Sequence, residues 1–247
     1  MNRHFEYAEN KIRGDLPEAY RQAWDLIARP GFWWRGAEKI AIAQESRNAW
    51  ACVLCDERKA ALSPNSVQGD HHSTEDLSAK IVDTVHRVTR DASRLSKSWL
   101  DSLYDQDFTD GHYIELVSVV VAVTSVDFFH HGMGLPLEPL PDPVPGEPSM
   151  RRPSKAQNRG AWVPVVEIED LDPEDEGLYG NLPRSSNVLT ALSLVPDGVR
   201  LLGILGAAQY LAPIEVANPS SNGGRALSRP QIEFVAGRVS AHNECFY

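Results

Sequence analysis

A chain of 247 residues, 42% of them hydrophobic and 23% charged, is long enough to bury a sizeable core as one large or two modest domains. Its formal net charge of -10 argues against a general nucleic-acid or anionic-membrane binder, since both need a basic surface that displaces counterions. No apolar run reaches the length of a membrane-spanning helix, the longest being 117–126, and the N-terminal residues lack the apolar stretch of a secretory signal.

The expectation is a cytoplasmic protein with neither nucleic acid nor membrane as partner. In that setting three cysteines, two of them in Cys52-Val-Leu-Cys55, read as redox or metal chemistry rather than as a disulfide framework.

Residues 16–28 place Ala19, Tyr20, Ala23, Trp24, Leu26 and Ile27 at helical spacing and are closed by Pro30-Gly31. The alanine-rich segment 37–62 holds no Gly or Pro and predicts one long helix, or two joined by a break, with the Cys-x-x-Cys motif inside it. Residues 63–74 read as a loop carrying His71-His72. Ser73 and Asp76 fit a capping box that opens a helix turning Leu77, Ile81, Val85 and Val88 to one side.

Further helices are predicted at 94–105 and, most apolar of all, at 112–131, which Gly132 and Gly134 stop. Seven prolines between 135 and 153, followed by an acidic stretch at 167–176, predict an extended joint. The expected organisation is a helical module at 1–134, a linker at 135–184 and a second helical module at 185–247. Helical patterning resumes at 186–194 and 199–211. Ser228 with Gln231 caps a terminal helix that has Pro230 in its first turn. Only 162–166 resembles a strand, so the fold class is all-α.

Two cysteines three apart on a helix share a face, which suits a reversible disulfide. Acidifying the first thiol requires a helix start close to Cys52, and Asn48 is the available cap. Glu45 and Glu38 lie seven and fourteen residues before Cys52, so a continuous helix would align both with it as proton acceptors or as a solvated face. Glu233 precedes Cys245 by eleven intervening residues in the terminal helix. A weaker echo runs through Glu115, Asp127 and His130.

The stretches from Glu38 to Cys55 and from Arg229 to Tyr247 resemble the AhpD-like alkylhydroperoxidase and carboxymuconolactone decarboxylase superfamily. Its redox branch carries Glu, eleven residues, Cys, two residues, Cys, three residues, His. Glu233 and Cys245 match the first two positions, and the sequence runs out at Tyr247 before the rest. The expectation is a piece of a longer two-module protein whose next residue is cysteine. The N-terminal copy has both cysteines but places Ile40 at the glutamate position and Lys59 at the histidine position. Glu38 or Glu45 would replace the first. Lys59 would act as a cation near the thiols, leaving His71, His72 or His86 to supply an imidazole.

The resemblance implies an all-helical homo-oligomer that reduces a hydroperoxide substrate in antioxidant defence, with a redox protein as electron donor. Carried over, Cys55 attacks and Cys52 resolves. Two other readings stay open. One is a catalytically weak scaffold of the same fold. The other is a zinc site on Cys52, Cys55, His71 and His72, against which stand the adjacency of the histidines and the placement of the motif within a helix. His86 is expected to pair locally with Asp83 or Asp91, and His130-His131 to stabilise a helix end. The tryptophans read as core or interface anchors. No cofactor box or phosphate loop is present, so neither cofactor nor metal is assigned.

Overall fold

The apolar spacing of the first predicted helix is realised in α1 (Asp15–Ala28), which buries Leu16, Ala19, Tyr20, Ala23, Trp24 and Ile27. The computed structural model describes residues 5–7, 12–73, 75–180, 182, 184–243 and 245. Among these residues there are ten α-helices and no strand. The one strand candidate, 162–166, forms no strand and takes part only in an isolated antiparallel bridge, Gln157 to Val165.

The long helix expected over 37–62 is broken. It forms α2 (Gly36–Asn48), a tight 3-10 turn (Ala49–Ala51) and α3 (Val53–Ala60), with Cys52 in an extended conformation at the N-cap of α3. No Gly or Pro marks the break because its cause is tertiary. The Arg90 guanidinium stacks 4.6 Å over the Trp50 ring, donates to the Trp50 carbonyl at 3.2 Å and pairs with Asp56 at 2.6 Å. The Trp50 ring also meets Phe128 edge-on. One arginine thus holds the turn and the first turn of α3 together.

The capping box expected at Ser73 and Asp76 does not open the next helix. α4 (Ala79–Asp91) starts after Ser78 and turns Val82, Thr84, Val85 and His86 inward. α5 (Lys97–Leu103) follows, then α6 (Asp110–Met133), which Gly134 closes in the left-handed region at φ 65°. Gly suits that position because it has no Cβ to clash there.

α6 exceeds the apolar run read from the sequence. Its mean hydropathy of 1.5 over 18 residues is enough for a bilayer by length and composition, yet 56% of that window is buried within the fold. Leu116, Val119, Val120, Ala122, Val123 and Val126 are buried on α6, which packs against α2, α4 and α8. At roughly 1.5–3 kcal/mol for each large aliphatic side chain removed from water, that burial makes α6 the axis of the core.

α7 (Asn187–Thr190) is a single turn. α8 (Pro196–Gln209) packs against both α1 and α6. The core is therefore continuous across residues 135–184: Phe5, Trp24, Leu116, Tyr179, Leu194, Val199 and Leu205 belong to one buried cluster. The proline-rich joint is strapped to the first half. Trp24 Nε1 donates to the Pro139 carbonyl at 2.9 Å, and the amides of Val144, Ser149 and Met150 bond the carbonyls of Ala28, Gly31 and Phe32. α9 (Pro213–Val216) and α10 (Arg229–His242) complete the chain. α10 has the expected Ser228/Gln231 capping box but ends before Cys245.

The echo at Glu115, Asp127 and His130 has structural work instead of a shared site. The Glu115 carboxylate accepts the amides of Phe32, Trp33 and Trp34 at 3.2, 2.6 and 3.2 Å and faces Lys39 at 3.8 Å. A Cβ on Gly31 would come within 1.6 Å of that carboxylate, so only glycine fits. Asp127 pairs bidentately with Arg47 at 2.8 and 2.7 Å. His130 bridges the Tyr7 hydroxyl and the Pro136 carbonyl.

Candidate functional site

Breaking the helix at 49–51 gives Cys52 the position that a reactive thiol needs. It caps α3, with the positive end of the helix dipole behind it, and Cys55 follows one turn on. The loop after α3 then folds back. Arg58 Nε donates to the Val67 carbonyl at 3.3 Å, and Gly69, at φ 155°, packs against Leu54 where a Cβ would press to 3.1 Å. This return brings His71 over the cysteines.

Two thiol–imidazole–carboxylate chains meet there. In the first, Cys52 Sγ lies 3.3 Å from His71 Nδ1, and His71 Nε2 lies 3.0 Å from Asp83 Oδ1 on α4. In the second, Cys55 Sγ lies 3.2 Å from His86 Nδ1, and His86 Nε2 lies 2.6 Å from Glu45 Oε1 on α2. The chains touch, because His71 Nδ1 is also 3.9 Å from Cys55 Sγ and the two imidazole centroids are 4.0 Å apart. With each Nε2–H donated to its carboxylate, both Nδ1 lone pairs point at sulfur.

The carboxylates are themselves held. Glu45 is fully buried and accepts from Ser73 Oγ at 2.6 Å and from Asn48 Nδ2 at 3.3 Å. Asp83 pairs with Arg58 at 2.5 Å and with Arg87 at 2.8 Å, and Arg58 Nη1 also lies 3.0 Å from His71 Nε2.

The two thiols differ in access and in acidity. Cys52 lines a surface cleft of about 430 Å³ together with Asn48, Ala51, Val53, Leu54, Asp70 and His72, whereas Cys55 is 5% exposed. Burial works against the Cys52 thiolate, but hydrogen bonds from His71 and from the Cys55 amide and thiol outweigh it and hold the Cys52 pKa below the ordinary value. Burial, with the Cys52 charge beside it, pushes Cys55 up to about 12. His71 moves the other way from a normal buried histidine. Burial opposes its charge, yet its bonds to Asp83 and Cys52 raise its pKa. In His86, burial, reinforced by the neighbouring His71 charge, prevails over Glu45 and lowers the pKa.

The other sequence candidates lie apart from this cluster. Because the helix breaks, Glu38 does not align with Cys52; its carboxylate caps α2 by accepting the Arg35 amide at 2.7 Å. Lys59 is exposed in the last turn of α3, and His72 is exposed at the cleft. Glu233 is exposed on α10, bound to the Tyr210 hydroxyl at 2.7 Å and to Arg229 at 2.5 Å. Cys245 is exposed beyond that helix, and Phe246 and Tyr247, the end of the second motif, lie outside the described residues.

His86, expected to pair with Asp83 or Asp91, takes Glu45 and Cys55 instead. The signal for it was its register: it follows Val82 by four residues on the buried side of α4, where a titratable side chain must find a partner. Comparison with family models, with curated proteins and with solved structures returned no match.

Proposed function

We propose that this chain is a cysteine-pair oxidoreductase that reduces hydroperoxides, with Cys52 attacking and Cys55 resolving. The observation that carries the reading is the placement of each thiol against its own carboxylate-backed imidazole, with only Cys52 opening to the cleft. This order is the reverse of the one that the family resemblance implies, and the difference in access is the reason for it.

In the first step His71 Nδ1 takes the Cys52 proton, and the thiolate attacks the distal peroxide oxygen. An S–O bond forms, the O–O bond breaks, and the alkoxide leaves as alcohol with the proton from His71. His86 Nδ1 then takes the Cys55 proton. The Cys55 sulfur attacks the Cys52 sulfenic acid, and hydroxide departs as water with that proton. Two thiols and one hydroperoxide thus give one disulfide, one alcohol and one water. A dithiol protein restores the pair by exchange.

The all-helical architecture and the thiol pair at a helix start support placing the chain with AhpD-like proteins. On this reading the helices before and after residues 135–184 are unequal copies of one module, which assembles as a homo-oligomer in the cytoplasm and serves antioxidant defence.

The test follows thiol loss on addition of tert-butyl hydroperoxide to the reduced, metal-free protein. The parent should lose two thiols per chain with Cys245→Ser in the background, and Cys55→Ser should accumulate a sulfenic acid at Cys52 that dimedone traps. Peroxide consumption by Cys52→Ser at the parental rate would end the proposal.

A further inference from the structure

We propose that the reduced Cys52, Cys55, His71 and His86 bind one tetrahedral zinc ion. The donor atoms are Sγ of each cysteine and Nδ1 of each histidine, all within 4.8 Å of one another. Zinc bonds of about 2.3 Å to sulfur and about 2.0–2.1 Å to nitrogen at tetrahedral angles would separate a sulfur from a nitrogen by about 3.6 Å. The sulfur–nitrogen distances of 3.3, 3.9 and 3.2 Å bracket that value. Since the four donors lie within 4.8 Å of one another, gathering them round one ion needs side-chain movements of at most about 1 Å, not a rearrangement.

The outer contacts are those of a metal centre. Each histidine that offers Nδ1 inward gives Nε2 to a carboxylate, Asp83 for His71 and Glu45 for His86, which fixes the tautomer and ring orientation that a ligating imidazole needs. The two objections visible in the sequence also fall away. The motif sits at a helix start rather than inside a helix, and the second histidine is His86 from α4 rather than the adjacent His72. Two thiolates and two neutral imidazoles balance a divalent cation, and soft sulfur ligands in tetrahedral array select zinc over calcium or magnesium. Four protein ligands close the coordination shell, so the ion holds the thiols rather than activating water.

Binding stands on this geometry alone. Its regulatory consequence rests on the redox reading given above: oxidation removes two of the four ligands. The zinc dithiolate, a hydroperoxide and two protons give the disulfide, free zinc, an alcohol and water, so the ion marks and guards the reduced state.

The experiment titrates cobalt(II) into the reduced, metal-free chain under anaerobic conditions. The expected result is one cobalt per chain, with a thiolate-to-metal charge-transfer band and the visible bands of a tetrahedral ion, all displaced by zinc. Cys245→Ser should bind identically, and parent protein oxidised to the Cys52–Cys55 disulfide should not bind. Glu45→Gln and Asp83→Asn should weaken cobalt binding by about 10–100-fold while the four ligands remain. Absence of a stoichiometric tetrahedral spectrum in the reduced parent, or the same spectrum in the disulfide form, overturns the inference. Peroxide consumption by the metal-free protein is read separately. Binding without consumption removes the redox reading and leaves the metal site, and consumption without binding does the reverse.

Discussion

The chain holds two stretches in which an acid precedes a thiol along helical sequence, and they have opposite surroundings. Glu45 is buried on α2 and reaches Cys55 through His86, while Glu233 is exposed on α10 and answers to Arg229 and Tyr210. Cys52 sits at a helix start under His71, while Cys245 lies exposed past a helix end. Spacing between an acid and a thiol therefore says little about chemistry. What distinguishes the first stretch is a break that turns the cysteines toward α4 and a loop that returns an imidazole to them.

The largest effect that would break this contrast concerns the imidazoles. His71→Ala should slow the peroxide-driven disulfide by about 100-fold or more, the usual reach of a positioned general base, while His242→Ala on α10 leaves the rate unchanged. Stopped-flow thiol loss measures both, and equal rates in the two variants would erase the distinction.

The carboxylates come next. Glu45→Ala leaves a buried neutral imidazole without its acceptor and should cost about 1–3 kcal/mol in urea unfolding, whereas Glu233→Ala, on a solvated face, should fall within about 0.5 kcal/mol. A smaller effect is read by pH. In metal-free protein the rate of Cys52 alkylation should reach half its plateau below the ordinary thiol value of about 8.5, because its pKa is lowered. Cys55, pushed up to about 12, should stay protonated and unreactive across the same range. His71→Ala removes the largest lowering contribution, so the Cys52 midpoint should then move upward. The smallest change is expected from Arg90→Ala, which loosens the turn at 49–51 without touching a thiol. It should cost about 1 kcal/mol, as a cation–π contact and an ion pair at a partly exposed site allow.

Much of the scaffold was legible because it obeys local rules. Helical spacing placed α1, the Gly132–Gly134 stop placed the end of α6 to within two residues although the helix runs through Gly132, and Ser228 with Gln231 placed the start of α10. The thiol pair, Glu45 and His71 were also visible as residue types. What the sequence concealed was the break between α2 and α3, since the Arg90 clamp that stabilises it lies on α4, 34 residues beyond Asp56. The same blindness hid the partnership of Glu45 with His86, which spans 41 residues and two helices. It also explains why Ser73 looked like a helix cap: its hydroxyl has a better use as a donor to the buried Glu45. The proline-rich segment read as a joint because prolines forbid a helix. Its amide bonds to the carbonyls of residues 28–32 depend on where α1 ends, which composition cannot express.

The loop that carries His71 has one further consequence. His86 and Glu45 stand on helices that pack against α6, whereas His71 arrives on the loop 67–73, tied back by Arg58 to the Val67 carbonyl, by His71 to Asp83 and by Ser73 to Glu45. In the language of hydrogen exchange, the two halves of the site then belong to different cooperative units. The Cys52–His71 half should open with the loop once the Ser73–Glu45 bond is broken, and the Cys55–His86–Glu45 half only with the core. Amides of 67–73 should exchange through local fluctuations while those of α4 wait for global unfolding. A site built this way can present its outer sulfur to solvent and keep the inner one covered.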